Sequence, residues 1–520
     1  MEGTKKDVII IGGGISGLSA AKLLQEEGLD VLVVEARDRL GGRTHTLVDP
    51  SIGYVDLGGA YVGPTQNRLL RMAKELGVEN YKINEAERLV WVDNQRGYPF
   101  KGSWPKFWNP LVNLDLNNAI REIDRLGDMI SVDAPWDAPN AEELDNMTMK
   151  EWIDKTCWTE VVHRFMVVFC QLTVTMDTSE LSVLFFFWYI KQSGGFYRSF
   201  GRENGGQERK FVGGSQQISI KMGEKIGKEN IKMESPVAQI NQSEESVSVH
   251  TINGDVYQAK YVISAMAPPL TQKIHYDPPL PPRRNQLISR APVGSVIKCM
   301  VYYDKTWWKD RDFCGSTFNV DPASPMVYSL DDTKPDGSHP ALICFVAANK
   351  AREFCGISKE ERRDRLCRCY SAAFGGAEEA LHPINYKEKN WMNEQYSGGC
   401  YTSTYGPGVL TQLGKELRKP FGRLYFAGTE TATHWAGYME GAIQAGERAA
   451  REIQHRMGKI DENEIWQDEP ESKEVPALPI PTTFYERNAP SVPGLFKFIG
   501  RTVVLSAVIG VFAICRLKKK

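Results

Sequence analysis

The sequence predicts an α/β fold that ends in one long apolar helix. Three observations favour this prediction: an apolar strand that runs into a glycine-rich turn at Gly12, a second strand–turn–helix pattern after Arg423, and an apolar stretch after Val503. With 520 residues the chain is long enough for two or three domains. Hydrophobic residues make up 42% and charged residues 25%, which is the balance of an ordinary globular protein.

Composition argues against several classes of partner and site. The 63 basic and 65 acidic side chains leave a net charge of only −2, so no global field would hold nucleic acid. The ten cysteines include no CxxC pair, which favours neither a disulfide scaffold nor a zinc site. We therefore expect reduced thiols in a compartment that faces the cytosol, no metal and no nucleic-acid partner.

The N-terminal region carries a dinucleotide-binding motif. An apolar strand over residues 7–11 leads into a glycine-rich turn and a helix, and a second strand ends at Glu35. Gly12 permits the tight turn, Gly14 lets the backbone approach a pyrophosphate, and Gly17 lets the helix pack closely on the strand. The N–H groups at the helix start attract phosphates, and Glu35 can accept hydrogen bonds from a ribose. This combination predicts a Rossmann-like domain.

A second turn, rich in glycine and arginine, follows the acidic residue. It contains Arg37 and Arg43, and another close-approach turn follows at Gly58. Such a turn suits FAD, whose pyrophosphate and isoalloxazine extend past the first loop, whereas a nicotinamide cofactor does not need it. On these residues the chain resembles the flavin-containing amine oxidase family.

The resemblance continues in the C-terminal half. A short strand from Arg423 ends in a turn with Gly428 and Glu430, and the motif Trp-Ala-Gly-Tyr-Met-Glu leads into a helix near Met439. Ser-Gly-Gly-Cys-Tyr is similar to the segment where the monoamine oxidases of this family attach FAD, which implies a thioether between Cys400 and the FAD 8α-carbon. In all, the resemblance assigns to cofactor binding Gly12, Gly14, Gly17, Glu35, Arg37, Arg43, Gly58, Val237, Cys400, Gly428, Glu430 and Met439.

The resemblance also implies a reaction and its residues. Flavin oxidases of this kind move two electrons from a C–N bond to FAD, give an aldehyde and ammonia, and reduce dioxygen to hydrogen peroxide. The expected substrates are aryl- and alkylamines of the neurotransmitter and dietary kind. Tyr401 and Tyr438 would frame the substrate nitrogen between phenol faces, without a carboxylate that traps ammonium. Lys298, on a strand with apolar neighbours, would lie near the flavin and help oxygen to react.

The expected substrate cavity is of mixed type. Phe200 falls where type A monoamine oxidases carry a bulky aromatic residue, and Tyr328 falls where type B enzymes carry tyrosine. Leu172 and Gln207 keep the family pattern in the cavity wall, whereas Phe318 departs from both types. The resemblance therefore assigns neither type.

The motifs predict two domains with discontinuous sequence. The FAD-binding domain is expected to comprise residues 5–80, 212–290 and 394–457. The mixed α+β substrate domain would comprise 89–211, which is aromatic-rich and helical, and 294–393, which is strand-rich. Two further segments follow, an extended surface segment at 458–493 and a membrane anchor at 494–520.

The C-terminal residues predict the membrane anchor. Residues 495–517 are long enough to span a bilayer if Lys497 and Arg501 reach the head-group layer, and Arg516 with Lys518–Lys520 closes the stretch. The alternative is an amphipathic or buried helix. Because no N-terminal signal is apparent, we expect a tail anchor in the mitochondrial outer membrane and a catalytic body that faces the cytosol. The resemblance further suggests a homodimer.

Two rival functions stay open. A polyamine or L-amino-acid oxidase of the same fold would need acidic residues along its cavity or an arginine for the carboxylate, and the matched positions supply neither. A membrane-bound flavin scaffold without turnover would not need Lys298, Tyr401 and Tyr438 together.

Overall fold

The computed structural model describes residues 5–102 and 105–517, and two large β-sheets organise them. The first sheet surrounds the glycine-rich turn. Its seven strands along the main path are, in spatial order, Ile231–Lys232, Val31–Val34, Lys6–Ile11, Val256–Ser264, Val247–Thr251, Val237–Gln242 and His275–Asp277. An eighth strand, Leu424–Phe426, pairs in parallel with Val256–Ser264.

The central strand Lys6–Ile11 explains the apolar start of the chain. It pairs in parallel with strands on both sides, so its side chains are covered on both faces. Val8 and Ile10 pack in a cluster with the helices Ile15–Glu26 and Met439–Arg456, whereas the alternate side chains pack in a separate cluster on the other face. The two helices approach closely, because a Cβ on Gly446 would lie 2.1 Å from the Ser16 carbonyl oxygen.

The second sheet has seven strands and forms the other wall of the molecule. In spatial order they are Asn385–Asn390, Val296–Tyr302, Ala341–Ala347, Tyr328–Asp331, Phe313–Asn319, Arg88–Asp93 and Arg96–Phe100. Every residue of Val296–Tyr302 and Ala341–Ala347 is buried. Smaller sheets are formed by Thr46–Asp49 with Gly53–Asp56, and by Tyr61–Val62, Arg209–Phe211 and Asn80–Lys82.

Helices cover both sheets, and a side chain caps the start of several of them. Asn109 accepts a hydrogen bond from the Leu111 N–H, and Thr148 forms a capping box with Glu151. The α-helices are Ile15–Glu26, Asn67–Glu75, Pro110–Gly127, Ala141–Asp145, Met149–Thr156, Glu160–Val174, Val183–Gln192, Phe196–Phe200, Gln216–Ile226, Pro282–Ser289, Trp307–Asp310, Ala348–Phe354, Lys359–Ala373, Val409–Leu413, Met439–Arg456, Phe484–Asn488 and Val492–Leu517.

The predicted α/β fold with a mixed second domain is confirmed. One detail differs from the sequence analysis, because the segment 89–211 opens with a hairpin instead of a helix. The hairpin strands Arg88–Asp93 and Arg96–Phe100 extend the second sheet, to which Arg88–Asp93 adds in parallel. The boundaries of the two domains stay a prediction.

The last described helix, Val492–Leu517, projects from the body of the protein. Its window Val492–Ile509 has a mean hydropathy of 1.6 with 6% of the window buried, and it is the one candidate membrane span within the described residues. Where the helix leaves the body, the Phe496 ring lies 5.5 Å from the Trp158 ring. The expected basic residues Lys518–Lys520 lie outside the described part of the chain.

Candidate active site

A cavity of about 340 Å³ lies between the two sheets and collects most of the residues singled out in the sequence. Seventeen of the twenty predicted residues line it: Gly12, Gly14, Glu35, Arg37, Arg43, Gly58, Leu172, Phe200, Gln207, Val237, Lys298, Tyr328, Cys400, Tyr401, Gly428, Tyr438 and Met439. The other three, Gly17, Phe318 and Glu430, lie behind its wall.

The glycine-rich turn is built as the motif requires. Gly12 has φ +106°, which favours glycine, and a Cβ on Gly17 would lie 2.0 Å from the Gly12 carbonyl oxygen. A Cβ on Gly14 would meet only the Gly42 Cα, at 4.0 Å, so the turn leaves room beside its backbone. The buried Glu35 carboxylate accepts hydrogen bonds from the Gly13 N–H at 2.6 Å and the Arg37 N–H at 2.8 Å. Glu35 therefore holds the first turn and the arginine turn together while it lines the cavity.

A buried ion pair joins the arginine turn to the C-terminal motif. The Arg43 guanidinium donates two hydrogen bonds to Glu430, at 2.6 and 3.1 Å, and a third to the Tyr401 carbonyl at 2.9 Å. Burial raises the pKa of Glu430, but the Arg43 charge together with the hydrogen bonds from Arg43 and from backbone N–H groups lowers that pKa below its ordinary value. Glu430 thus stays ionised behind the wall and holds Arg43 in place at the cavity.

The segment around Cys400 is fixed by buried contacts. The Cys400 N–H donates to the Gly294 carbonyl at 3.0 Å, and a Cβ on Gly399 would lie 2.3 Å from that oxygen. The buried Thr175 hydroxyl lies against the Cys400–Tyr401 peptide: it accepts from the Tyr401 N–H at 3.1 Å and is within donating distance of the Cys400 carbonyl. Burial raises the pKa of the Cys400 thiol to about 12.

Lys298 is buried, although a single lysine on a strand usually faces solvent. Only 3% of it is exposed, and its Nζ donates to the Gly58 carbonyl at 3.0 Å and lies 5.6 Å from the centre of the Phe345 ring. Burial, reinforced by the Lys210 charge, lowers the pKa of Lys298 to about 8. A fully buried cluster adjoins it, in which Asp332 pairs with Lys210 and Lys334.

The two predicted tyrosines line the cavity together with further aromatic residues. The Tyr438 ring lies 4.8 Å from the Trp435 ring and 5.9 Å from the Tyr189 ring. The Tyr401 ring lies 6.4 Å from Phe345 at 81°. Burial raises the pKa of Tyr438 to about 12 and that of Tyr401 further, so both phenols stay neutral at physiological pH.

Aromatic side chains form the far wall. The Phe200 ring packs edge-on against Phe169 and Phe318, at 5.5 Å from each. Phe318 does not line the cavity, since its ring is enclosed between Phe200, Tyr328 and Trp91. Gln207 donates to the Ser199 carbonyl at 3.2 Å and so closes the loop that carries Phe200.

Sequence reasoning missed three residues of this site. Phe345 stands opposite Lys298 in the antiparallel register of two buried strands, and Tyr189 belongs to an apolar helix, Val183–Gln192. Thr175 ends the helix Glu160–Val174 in a left-handed conformation. A hydroxyl residue at a helix end was the one signal in the sequence for Thr175, and none distinguished the two aromatic residues from core.

Comparison with known proteins decides the family. The model of the flavin-containing amine oxidoreductases matches residues 15–454. The chain belongs to the flavin-containing amine oxidase family. It is 57% identical to the flavin-containing amine oxidase B of Bos taurus over 504 residues, covering 97% of this chain and 96% of the relative. The Homo sapiens amine oxidase B is 57% identical over 503 residues, with the same coverage.

Solved structures give the same family. The cyclohexylamine oxidase of Brevibacterium oxydans aligns with a TM-score of 0.84 at 31% identity, covering 87% of this chain and 100% of that one. A putrescine oxidase with bound putrescine aligns with a TM-score of 0.82 at 28% identity, covering 87% and 99%. The predicted family, fold and enzyme class are thereby confirmed: the chain is a flavin-containing amine oxidase that uses FAD, an amine and dioxygen.

The residues present fit FAD. The open side of Gly14 and the N-terminus of the helix Ile15–Glu26 offer backbone N–H groups to a pyrophosphate, and the Glu35 carboxylate lies in the same cavity. The cavity continues from this turn to Cys400 and then to the aromatic wall. One continuous space thus joins the glycine-rich turn, which we call the dinucleotide end, to the aromatic wall, which we call the amine end.

Proposed function

We propose that this flavin amine oxidase is a membrane-anchored monoamine oxidase. It would deaminate aryl- and alkylamines of the neurotransmitter and dietary kind to aldehydes, with release of ammonia and hydrogen peroxide. One observation carries the proposal: Glu35, at the dinucleotide end, is the only carboxylate among the described residues that line the cavity. The amine end is aromatic and apolar, which suits a neutral amine with one ring and offers no anion to a second ammonium group.

The residues that would hold FAD belong to both halves of the chain. The glycine-rich turn, Glu35, Arg37 and Arg43 would bind its nucleotide part, and Gly428 and Met439 would border the flavin. Cys400 would hold the flavin through a thioether, a proposal supported by its place in the cavity wall. When bound, FAD accepts two electrons from the C–N bond of the amine and delivers them to dioxygen.

Tyr401 and Tyr438 would orient the amine. Their raised pKa values keep both phenols uncharged, so they attract the nitrogen by their ring faces and do not fix it as an ammonium ion. The aromatic wall excludes water around the neutral amine. Replacing either tyrosine by alanine should lower kcat/KM more than replacement by phenylalanine, which keeps the ring face.

Lys298 would serve oxygen more than amine. At pH 7 a lysine with a pKa of about 8 is mostly protonated, so Lys298 would offer a positive charge to dioxygen as dioxygen takes up electrons from the reduced cofactor. In Lys298→Met, reoxidation of the reduced enzyme by dioxygen should slow far more than anaerobic reduction by amine. Equal slowing of both half-reactions would assign Lys298 to substrate binding or structure.

Steady-state peroxide release tests the function as a whole. The purified holoenzyme is assayed with benzylamine, phenethylamine and serotonin, and in parallel with putrescine, spermine and L-leucine. The proposal predicts turnover of the arylalkylamines with kcat/KM at least tenfold above that of every polyamine and amino acid. Preference for a polyamine or an amino acid would overturn it in favour of the rival oxidases, and a flavin that no amine reduces would favour the scaffold.

The tail would anchor the enzyme in the mitochondrial outer membrane, with the catalytic body in the cytosol. The apolar helix Val492–Leu517, with Lys497 and Arg501 in its first turns, supports this proposal. Truncation after Pro493 should release an active flavoprotein from membranes. A truncated form that stays bound through a high-salt wash would place the anchor elsewhere.

We further propose a homodimer. Sedimentation of the detergent-solubilised enzyme should give twice the mass of one chain after correction for bound detergent, and a monomer mass would contradict this.

A further inference from the structure

The loop of residues 198–207 contains Phe200 and Gln207 of the cavity wall. This loop binds one peptide of the segment that leads to the membrane helix. The Asn204 side chain donates to the Leu478 carbonyl at 2.8 Å, and its Oδ1 accepts from the Leu478 N–H at 2.9 Å. Both backbone groups of one residue are therefore bonded to one amide, across 274 positions of the sequence. We use "surface segment" for residues 458–493, as defined in the sequence analysis.

Arg198 adds a third contact to the same residue. Its Nη2 donates to the Leu478 carbonyl at 2.9 Å, and its Nη1 donates to the carbonyl and side-chain oxygens of Asn204. Arg198 is itself buried. Hydrogen bonds from a charged donor are stronger than those between neutral groups. Arg198 and Asn204 together therefore form a specific binding site for the Leu478 peptide.

The same loop positions two cavity residues. Phe200 follows Arg198 by two positions, and the Arg198 carbonyl accepts from the Gly206 N–H at 2.9 Å. Gln207, which lines the cavity, closes the loop through the Ser199 carbonyl. Arg198 and Asn204 are therefore only two or three residues from Phe200 and Gln207 in the same closed loop. A shift of either residue would change the positions of Phe200 and Gln207.

The loop is also held by the Arg202–Glu85 ion pair at 2.8 Å and by the Asn204 N–H, which donates to Glu208 at 2.7 Å. Asn204 adopts φ +54°, a left-handed conformation that asparagine tolerates better than most residues. On the opposite side the backbone of the loop touches Gly63, where a Cβ would lie 1.9 Å from the Gly205 carbonyl oxygen. The loop is thus enclosed between Gly63 on one side and Leu478 on the other.

The surface segment is suited to act as a fixed support. Pro476, Pro479 and Pro481 restrict the backbone around Leu478, so little conformational entropy is lost when this peptide docks. The segment is also held upstream, since Val475 is buried against the helices of the first sheet and the Ser472 N–H donates to Asn67 at 3.1 Å.

We propose that Asn204 is a positioning residue for amine selectivity. By holding the Leu478 peptide it would fix the loop of residues 198–207, and with it the place of Phe200 and Gln207 in the cavity wall. The surface segment would then be a structural part of the substrate cavity as well as the connection to the membrane helix. This inference rests on the proposed function, because it takes the cavity wall at Phe200 and Gln207 as the wall that contacts the amine.

The test uses the full-length holoenzyme in membranes and three variants at the contact. Asn204→Ala removes both side-chain bonds to Leu478 and the side-chain acceptor for Arg198. Leu478→Pro removes the N–H donor together with the exposed leucine side chain, and Asn204→Asp keeps the acceptor for Leu478 and Arg198. The readouts are the inhibition constant of a long two-ring amine-type inhibitor and kcat for benzylamine. For Asn204→Ala and Leu478→Pro the inhibition constant should fall about fivefold, the equivalent of one net hydrogen bond of about 1 kcal/mol, while kcat for benzylamine stays within twofold. Asn204→Asp should recover part of the parent value.

Two matched controls separate this effect from general loosening of the segment. Ile480→Pro introduces proline two residues after Leu478, at a position whose N–H donates no hydrogen bond to the described part of the chain. Lys74→Ala breaks an exposed ion pair with Glu474 in the same segment. Both controls should match the parent enzyme, and equal shifts in controls and test variants would overturn the inference.

Phe200→Ala in the same series distinguishes a failure of the positioning role of Asn204 from a failure of the proposed substrate cavity. If Phe200→Ala lowers the inhibition constant and the Asn204 and Leu478 variants do not, the positioning role is wrong and the proposed cavity stands. If Phe200→Ala leaves the inhibition constant unchanged, the assignment of Phe200 to the wall that contacts the amine is wrong. The positioning role of Asn204 is then wrong as well. Amide hydrogen exchange over residues 198–207 should become faster in Asn204→Ala than in Lys74→Ala, and unchanged exchange would also contradict the positioning role.

Discussion

The two ends of the cavity are built from different materials. At the dinucleotide end the wall is largely backbone, with Gly12 and Gly14 in the turn and Glu35 holding it. At the amine end the wall consists of side chains from distant elements, such as Phe200 and Tyr328. A side chain added to the backbone wall would occupy the space that the cofactor needs, whereas a side-chain wall can be reshaped by single substitutions. Cofactor binding should therefore be sensitive to mutation, and substrate selectivity adjustable.

The two ends meet at consecutive residues. Cys400 belongs to the dinucleotide side and Tyr401 to the amine side, and the Arg43–Glu430 pair lies directly beneath them. Substitutions at this junction should have the largest effects of all.

The largest effect is expected for Glu430→Gln. It leaves the Arg43 guanidinium buried without its counter-charge, which costs about 3–5 kcal/mol in comparable cases. Denaturant unfolding of the holoenzyme would measure the loss. Glu474→Gln, which breaks an exposed pair with Lys74, is the control and should change stability by less than about 1 kcal/mol. Similar small losses for both variants would show that the junction does not depend on this charge pair.

Lys298→Met should stabilise the protein at neutral pH. The folded-state pKa of about 8 lies below the ordinary 10.5, so the unfolded state binds more protons between those values and parent stability rises with pH across that window. At about 1.4 kcal/mol per pKa unit, the variant would gain on the order of 3 kcal/mol at pH 7. Unfolding measured from pH 7 to 10.5 should show the gain shrinking, and a constant difference would contradict the lowered pKa.

Gly17→Ala tests the packing directly behind the backbone wall. Its new Cβ would lie 2.0 Å from the Gly12 carbonyl oxygen, so the helix must move away from the turn, at a cost of about 1–3 kcal/mol. The flavin-to-protein ratio after purification should fall with stability. Gly28→Ala is the control, since nothing lies within 4 Å of a Cβ there, although Gly28, unlike Gly17, has positive φ. If Gly28→Ala loses as much flavin, crowding against the Gly12 carbonyl is not what lowers flavin binding.

The smallest effects are expected on the aromatic wall. Phe200→Leu should change the inhibition constant of a long two-ring inhibitor several-fold with little change in melting temperature, because Phe200 lines the cavity. Phe318→Leu should do the reverse and cost about 1 kcal/mol of stability, because Phe318 lies behind the wall. Thermal unfolding and inhibition assays on both variants would check this, and equal inhibitor shifts would place Phe318 in the wall after all.

The difference between the backbone wall and the side-chain wall also explains which parts of the site could be predicted from the sequence. The turn at Gly12, its helix and the strand ending before Glu35 follow from local backbone requirements, and they were predicted from some 30 consecutive residues. Lys298 was placed by family resemblance, since its burial depends on the strand Ala341–Ala347 that lies beside it. Contacts between Thr175 and Tyr401, or between Asn204 and Leu478, join residues more than 200 positions apart and leave no local pattern.

The covalent attachment of the flavin to Cys400, at the junction of the two ends, is tested by mass spectrometry of the peptide that contains this residue. The holoenzyme is precipitated with acid, digested, and its peptides are weighed by mass spectrometry. We predict that the peptide containing Cys400 carries the added mass of FAD or its flavin fragment, and that the yellow colour stays with the precipitate. An unmodified Cys400 peptide with all flavin in the supernatant would contradict the claim.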